Sequence, residues 1–188
     1  RLIVEGHRID TETALRALLD NIQASGFARL HALWTLDGLN LLTPADLIIA
    51  SKDPEATVRR DVAKLVRTHG SDDPELQHID AILCNDSDGE VQMQAILSLN
   101  ATTDEAKTPI LQAVPNCLGD VWRQRALLIA APNLAADMAE VVLRHSSDLS
   151  DFATHGEFLK SLAFNVAARG NIEQLQKATK LIGPGTES

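Results

Sequence analysis

Histidine and cysteine are the residue types here best suited to metal binding or nucleophilic chemistry, and their spacing favours neither. The six histidines form no His-x-x-x-His or His-Glu-x-x-His pattern, which would place two metal ligands on one helix face. Cys84 and Cys117 belong to no Cys-x-x-Cys or Cys-x-x-Cys-His motif, so neither a metal site nor covalent haem attachment is predicted. We expect two buried thiols, because neighbouring helices pack about 8–10 Å apart, beyond ordinary disulfide reach.

The segment Asp86-Ser87-Asp88-Gly89 resembles part of a calcium-binding loop. In the register of such a loop, positions one and twelve fall on Cys84 and Ala95, so two ligands are lost. We therefore interpret the segment as an acidic turn at a helix start. The sequence also contains no Gly-x-Ser-x-Gly, Walker or Gly-x-Gly-x-x-Gly motif. No metal, cofactor or catalytic residue is predicted in this chain, and it is not expected to be an enzyme.

Charge and hydrophobicity restrict the partners. The 188 residues carry 17 Lys plus Arg against 26 Asp plus Glu, a net charge of −9 that repels phosphate backbones. Nucleic-acid binding is therefore not expected. No apolar run approaches the roughly 20 residues that span a bilayer, so membrane insertion is not expected either. The basic groups around Arg59 and Arg123 are interpreted as solvated, salt-bridged helix faces.

Apolar residues recur with helical spacing along almost the whole chain, and turn signals separate short segments. Thr43-Pro44, Asp53-Pro54 and Asp73-Pro74 are typical helix starts. The predicted helices cover residues 11–24, 27–39, from 43, 53–69, 73–83, 88–99, 104–114, 120–131, 134–145, 151–169 and 171–182. Aromatic residues make up only 3% and tyrosine is absent, which predicts an aliphatic core and an all-α fold.

An internal repeat underlies these helices. Residues 53–63 align with residues 86–96, each with an Asp-rich turn followed by a valine, Val58 or Val91. Weaker echoes are anchored on Ala28 and Trp122, and Phe158 is a candidate for a fifth. Repeats of this length predict stacked helix pairs.

The Asp turn followed by Val58-Arg59 resembles the second helix of a HEAT repeat. In that family Asp caps the helix, Val faces the core, and Arg reaches the acidic turn of the adjacent unit. The resemblance implies an α-α superhelix, a solenoid of about five HEAT-like helix pairs forming one domain over residues 1–188. The first helix is expected to be truncated, residues 183–188 to form a frayed tail, and the chain to be a fragment of a larger protein.

Residues 29–39, RLHALWTLDGL, resemble a segment of certain large secreted bacterial proteins. Those proteins join a sorbosone-dehydrogenase-like propeller, HEAT repeats and a cytochrome c domain. Arg1–Gly6 is similar to the end of their first HEAT helix. The resemblance implies a periplasmic or secreted location, and haem c only in a neighbouring domain.

Two functions remain open from the sequence. The first is a non-catalytic scaffold that positions dehydrogenase and cytochrome c domains, and the second is a stand-alone regulatory adaptor that binds a partner protein through its concave face. A HEAT-like bilin lyase is a third class, for which no catalytic residue is found. The candidate interaction residues lie near the ridge of second helices: Arg29, His31, Trp34, Arg59 and Arg123. His31 and Trp34 could equally be structural residues, one bonding a loop carbonyl and the other filling a gap between helix pairs.

Overall fold

The computed structural model describes residues 2–6, 9–69, 73–99, 104–146 and 149–182. Throughout these ranges the regular structure is helical, which confirms the all-α prediction. Helix contacts divide the chain into two compact units, Arg1–Leu99 and Asn100–Ser188. Each unit is described separately below.

The first unit consists of three packed helix pairs preceded by a short helix. α2 packs on α3, α4 on α5, and α6 on α7. α3, α5 and α7 lie side by side in one layer, and α2, α4 and α6 in the other. We call α3, α5 and α7 the second helices. The bounds are α1 Leu2–Glu5, α2 Glu12–Asp20, α3 Gly26–Gly38, α4 Pro44–Ala50, α5 Ala56–His69, α6 Pro74–Leu83 and α7 Gly89–Ser98.

α5 lies at the centre of this unit, with contacts to α3, α4, α6 and α7. Val58, Val62 and Leu65 have no solvent exposure, and the aligned Val91 of α7 is equally buried. The expectation that the valine after each Asp turn faces the core is therefore confirmed for Val58 and Val91. Burial of these aliphatic side chains is the main favourable contribution to folding.

Local signals determine several helix ends. Thr43 and Asp46 form a reciprocal capping box at the start of α4, with Pro44 at its first position. Asp73, Asp88 and Asp120 each accept backbone N–H groups at the start of a helix. Asn40, with φ of 57°, follows the end of α3, where the N–H of Leu41 bonds the carbonyl of Leu36. Hydrogen bonds within a few residues therefore account for these helix ends.

Thr43→Ala is expected to lower the free energy of unfolding by about 1 kcal/mol, because the Thr43 hydroxyl accepts from the Asp46 N–H at 3.3 Å. The change also removes the hydroxyl's bond to the Asp46 carboxylate at 2.7 Å. Urea denaturation followed by circular dichroism measures the loss. Thr43→Ser retains both bonds and is the matched control, and a serine variant as unstable as the alanine variant would contradict the capping explanation.

The second unit contains α8 Asp104–Cys117, α9 Val121–Ala130, α10 Ala135–His145, α11 Leu149–Arg169 and α12 Ile172–Ile182. α10 packs on α8, α11 and α12, while α9 contacts α8 and α11. The buried Gln174 fastens α12 to α10: its Oε1 accepts from the Ala136 N–H at 2.7 Å, and its Nε2 donates to Asp137 at 2.8 Å. Lys177 donates to the same carboxylate. Although burial raises the pKa of Asp137, these partners outweigh it and hold that pKa below its usual value.

The predicted helices agree with the observed ones in order and number of segments over residues 11–182, with ends shifted by a few residues. Trp122, on which the weaker repeat in α9 is anchored, is 65% exposed, whereas α9 buries Ala126 and Leu127. The helix begins one residue after its Asp120 cap, which leaves Trp122 in the solvent-facing first turn. The expected tail at residues 183–188 and the helix stop at Gly70 lie outside the described residues. The solenoid of five HEAT-like pairs stays a prediction.

Candidate interaction surface

Arg29 is a buried structural arginine. Its side chain is 2% exposed, although the residue lies near the start of α3. Its Nε and Nη2 donate to the two carboxylate oxygens of Asp53 at 2.5 and 2.7 Å, and its Nη1 donates to the Ala24 carbonyl. The guanidinium thus joins the turn before its own helix to the turn before α5. In this arrangement Arg29 is inaccessible to a partner.

Arg59 repeats the same arrangement one helix pair later. It donates to both carboxylate oxygens of Asp86 at 2.7 and 2.8 Å and to the Asp53 carbonyl at 2.8 Å. Burial raises the pKa of Asp86, but the bonds from Arg59 and from the Asp88 N–H outweigh it and lower that pKa. The expectation that Arg59 reaches the next acidic turn is confirmed. At the following pair Gln92 replaces the arginine and donates to the Cys84 carbonyl.

His31 and Trp34 are solvent-facing. They follow Phe27 at intervals of four and three residues, so the three side chains lie along the outer face of α3. Phe27 is 74% exposed and Trp34 is 39% exposed. The Trp34 indole N–H donates to the Asp61 carboxylate of α5 at 3.1 Å, which fixes the orientation of the ring. The opposite face of α3 carries the buried Ala32, Leu33 and Leu36.

Basic side chains follow the outer side of α5 with the same spacing. Arg60 and Lys64 are half-buried and Arg67 is exposed. Because α3 packs on α5, this row adjoins the aromatic row of α3. We call the combined surface the aromatic–basic face. It consists of Phe27, His31, Trp34, Arg60, Lys64 and Arg67.

In the second unit, Arg123 is half-buried and forms an ion pair with Asp120 at 3.3 Å. Its neighbour Arg125 lies over the Trp122 ring at 4.9 Å, a cation–π contact. α9 packs on α11, where Phe164 is 77% exposed. This unit therefore also presents large aromatic side chains to solvent: Trp122, next to Arg123 in sequence, and Phe164 of α11.

One contact has the composition of a nucleophile and base, since Ser146 Oγ lies 3.0 Å from His155 Nδ1. Both residues are buried, and the Ser146 hydroxyl donates to the Val142 carbonyl at 2.9 Å. Because the hydroxyl donates its proton to this carbonyl, it is not directed at the imidazole as base activation of a nucleophile requires. We interpret this pair as a link between the end of α10 and the start of α11.

The thiols offer no reactive group. Cys84 and Cys117 are both buried, as predicted, and burial raises the pKa of Cys117 to about 11. Within the described ranges, no three His, Cys, Asp or Glu side chains gather as a metal site. Among the same residues no single helix is long and apolar enough to cross a membrane. One bent pair, Val121–Ala130 with Pro132–His145 at 98°, passes by length and composition.

No protein-family model, curated protein or solved structure matches the chain. The aromatic–basic face and the exposed side chains of α9 and α11 are the surface features that indicate a function.

Of the five residues proposed from the sequence, the structure brings His31 and Trp34 together on one exposed face. The guanidinium groups of Arg29 and Arg59 are engaged with the acidic turns at Asp53 and Asp86, and Arg123 belongs to the other unit. Phe27, which precedes Trp34 by seven residues, was not among the predicted interaction residues. That spacing was a usable signal, because it places both aromatics opposite Leu33 and Leu36 on the same helix.

Proposed function

We propose that this chain is a non-catalytic interaction module built of packed helix pairs, which holds a partner protein or neighbouring domains through its exposed helix faces. One observation supports the proposal above the others: four of the six aromatic residues are solvent-exposed, in a chain whose core is aliphatic. Exposed Trp and Phe add little to the folding of a monomer. They are, however, the residue types that dominate binding energy at protein interfaces.

The type of module we propose is a HEAT-like one. The Arg29–Asp53 and Arg59–Asp86 pairs support this, because each places an arginine on an acidic turn in the manner that the resemblance implies. The similarity of residues 29–39 further supports a place between dehydrogenase and cytochrome c domains in a periplasmic or secreted polypeptide. In that setting haem c belongs to the neighbouring domain, since this chain has no Cys-x-x-Cys-His motif. A stand-alone adaptor is the alternative.

The product of the whole gene distinguishes these two settings. We expect an intact mass several times the 20.3 kDa of this chain, together with the absorption of reduced haem c. A colourless product close to 20.3 kDa would contradict the multidomain setting and leave the adaptor.

Hydroxyl-radical footprinting tests the interaction itself. Oxidation of Trp34, Trp122 and Phe164 is measured by mass spectrometry in the isolated chain and in the whole gene product, or in the adaptor's complex. We expect these exposed rings to react in the isolated chain and at least one of them to be protected in the larger assembly. Phe158, which is buried, is the internal control. Equal oxidation of all three exposed rings in both samples would overturn the proposal.

A further inference from the structure

The aromatic–basic face carries positive charge on a strongly acidic chain. α5 contains four Lys or Arg residues and one acid, Asp61, whereas the whole chain has a net charge of −9. Arg59 points into the turn and bonds Asp86, which leaves Arg60, Lys64 and Arg67 for the outer surface. A positive row on an otherwise acidic surface is electrostatically complementary to a partner segment of negative charge.

Nearby carboxylates pair with two of these three cations. Asp61 is buried beneath the row and accepts from Lys64 at 2.5 Å and from Trp34. Glu90 of α7 pairs with Arg60 at 2.7 Å and lies exposed at the edge of the row. Arg67 forms no ion pair with any residue that the structure describes. The positive charge left unpaired on the row is therefore that of Arg67, near the end of α5.

Apolar contact area lies directly beside these charges. Phe27, His31 and Trp34 follow three successive turns of α3, and the bond from Trp34 to Asp61 holds the indole against the basic row. An aromatic row parallel to a cationic row matches a chain segment that alternates acidic and apolar side chains. Complementary charge provides steering and register, and the aromatic rings provide buried area.

We propose that the aromatic–basic face binds an acidic segment of a partner polypeptide, in which Asp or Glu residues alternate with large apolar ones. This inference rests on the proposed interaction function and specifies its partner. An acid of the segment pairs with Arg67, and its apolar side chains cover Phe27 and Trp34. A nucleic acid matches the face less well, because it carries a phosphate on every nucleotide, and the net charge of −9 repels that continuous charge more than acids spaced by apolar residues.

Fluorescence anisotropy with defined probes tests this. The first probe is a labelled peptide of about 13 residues, the length of α3, that alternates Asp-Glu pairs with Leu and Phe. The second replaces each acid by its amide, and the third is a single-stranded oligothymidine. We expect the acidic peptide to bind at low salt, to weaken at high salt, and to bind at least about fivefold tighter than the amide peptide. Equal affinity for both peptides, or no binding of the acidic one, overturns the inference, and tighter binding of the oligothymidine replaces it with a nucleic-acid site.

Matched variants locate the site. Arg67→Glu and Phe27→Ala alter exposed side chains. Each is expected to lower the affinity for the acidic peptide at least about fivefold while the circular dichroism spectrum stays unchanged. Lys180→Glu and Phe164→Ala make the same changes on exposed residues of the second unit and should leave binding unaffected. Loss of binding in all four variants alike would overturn the assignment to this face. These results do not depend on the footprinting of the larger assembly, so either proposal can fail alone.

Discussion

Arg29→Met is expected to lower the free energy of unfolding of the first unit by about 3–5 kcal/mol, because it leaves the Asp53 carboxylate buried without its cation. Both partners of this pair are almost completely withdrawn from solvent, and two parallel hydrogen bonds join them. Water cannot replace the guanidinium without opening the turn. Most of this loss of stability comes from leaving the Asp53 carboxylate charged and unpaired, and less from losing the attraction between Arg29 and Asp53.

Urea denaturation in a Trp122→Phe background measures this loss, because the fluorescence of Trp34 then reports on the first unit alone. Arg59→Met is the matched control: its pair with Asp86 has the same geometry but is more exposed, and we expect a loss of about 2 kcal/mol. Adding Asp53→Leu to Arg29→Met should recover most of the stability, since it removes the unpaired charge. Equal losses for the two arginine variants would show that burial of the Arg29 pair has no special effect.

Asp80→Asn is expected to change the pH dependence of stability more than any other substitution. Asp80 lies on α6 with 2% exposure, and within the described residues its Oδ1 has no hydrogen-bond partner. Burial raises the pKa of Asp80 from 3.8 to about 8. The unfolded chain therefore ionises at a pH where the folded chain still holds the proton. Stability is greatest below the unfolded pKa and is lost as pH rises from about 4 to about 8.

The asparagine variant should lack this slope. We expect its stability relative to the parent to increase by on the order of 4 kcal/mol between those two pH values. Urea titrations at several pH values, again read from Trp34, provide the comparison. Asp20→Asn, at the exposed end of α2, is the control and should follow the parent. Parallel curves for the Asp80 variant and the parent would show that Asp80 is ionised in the folded protein at neutral pH.

The sequence predicted the helices well because their signals are local. The Thr43-Pro44 and Asp73-Pro74 starts, the acidic cap at Asp120 and the apolar periodicity all act within a few residues. The contact of Arg59 with the acidic turn at Asp86 was expected from the HEAT resemblance, although Arg59 was also predicted as an interaction residue. Spacing along one helix thus carries enough information for helix boundaries, whereas this contact between helices came from the resemblance.

Other features depend on contacts that spacing does not encode. Arg29 was predicted to be a surface residue, yet its guanidinium is buried against Asp53, a residue 24 positions away in the sequence. Asp80 adjoins the buried Ile79 in an otherwise apolar stripe, and only the three-dimensional packing shows that its carboxyl is enclosed. The exposure of Trp34 could not be settled either, because a helical tryptophan near leucines is compatible with both faces.

The two bidentate arginine pairs also determine where the first unit can be divided. Asp53 and Asp86 each belong to the turn of one helix pair but are neutralised by an arginine from the preceding pair. A deletion that ends the chain between α3 and α4 would separate Arg29 from the carboxylate of Asp53 and expose both to solvent. Shortened versions of this protein cut there should therefore be less stable, even though the cut falls between complete helices.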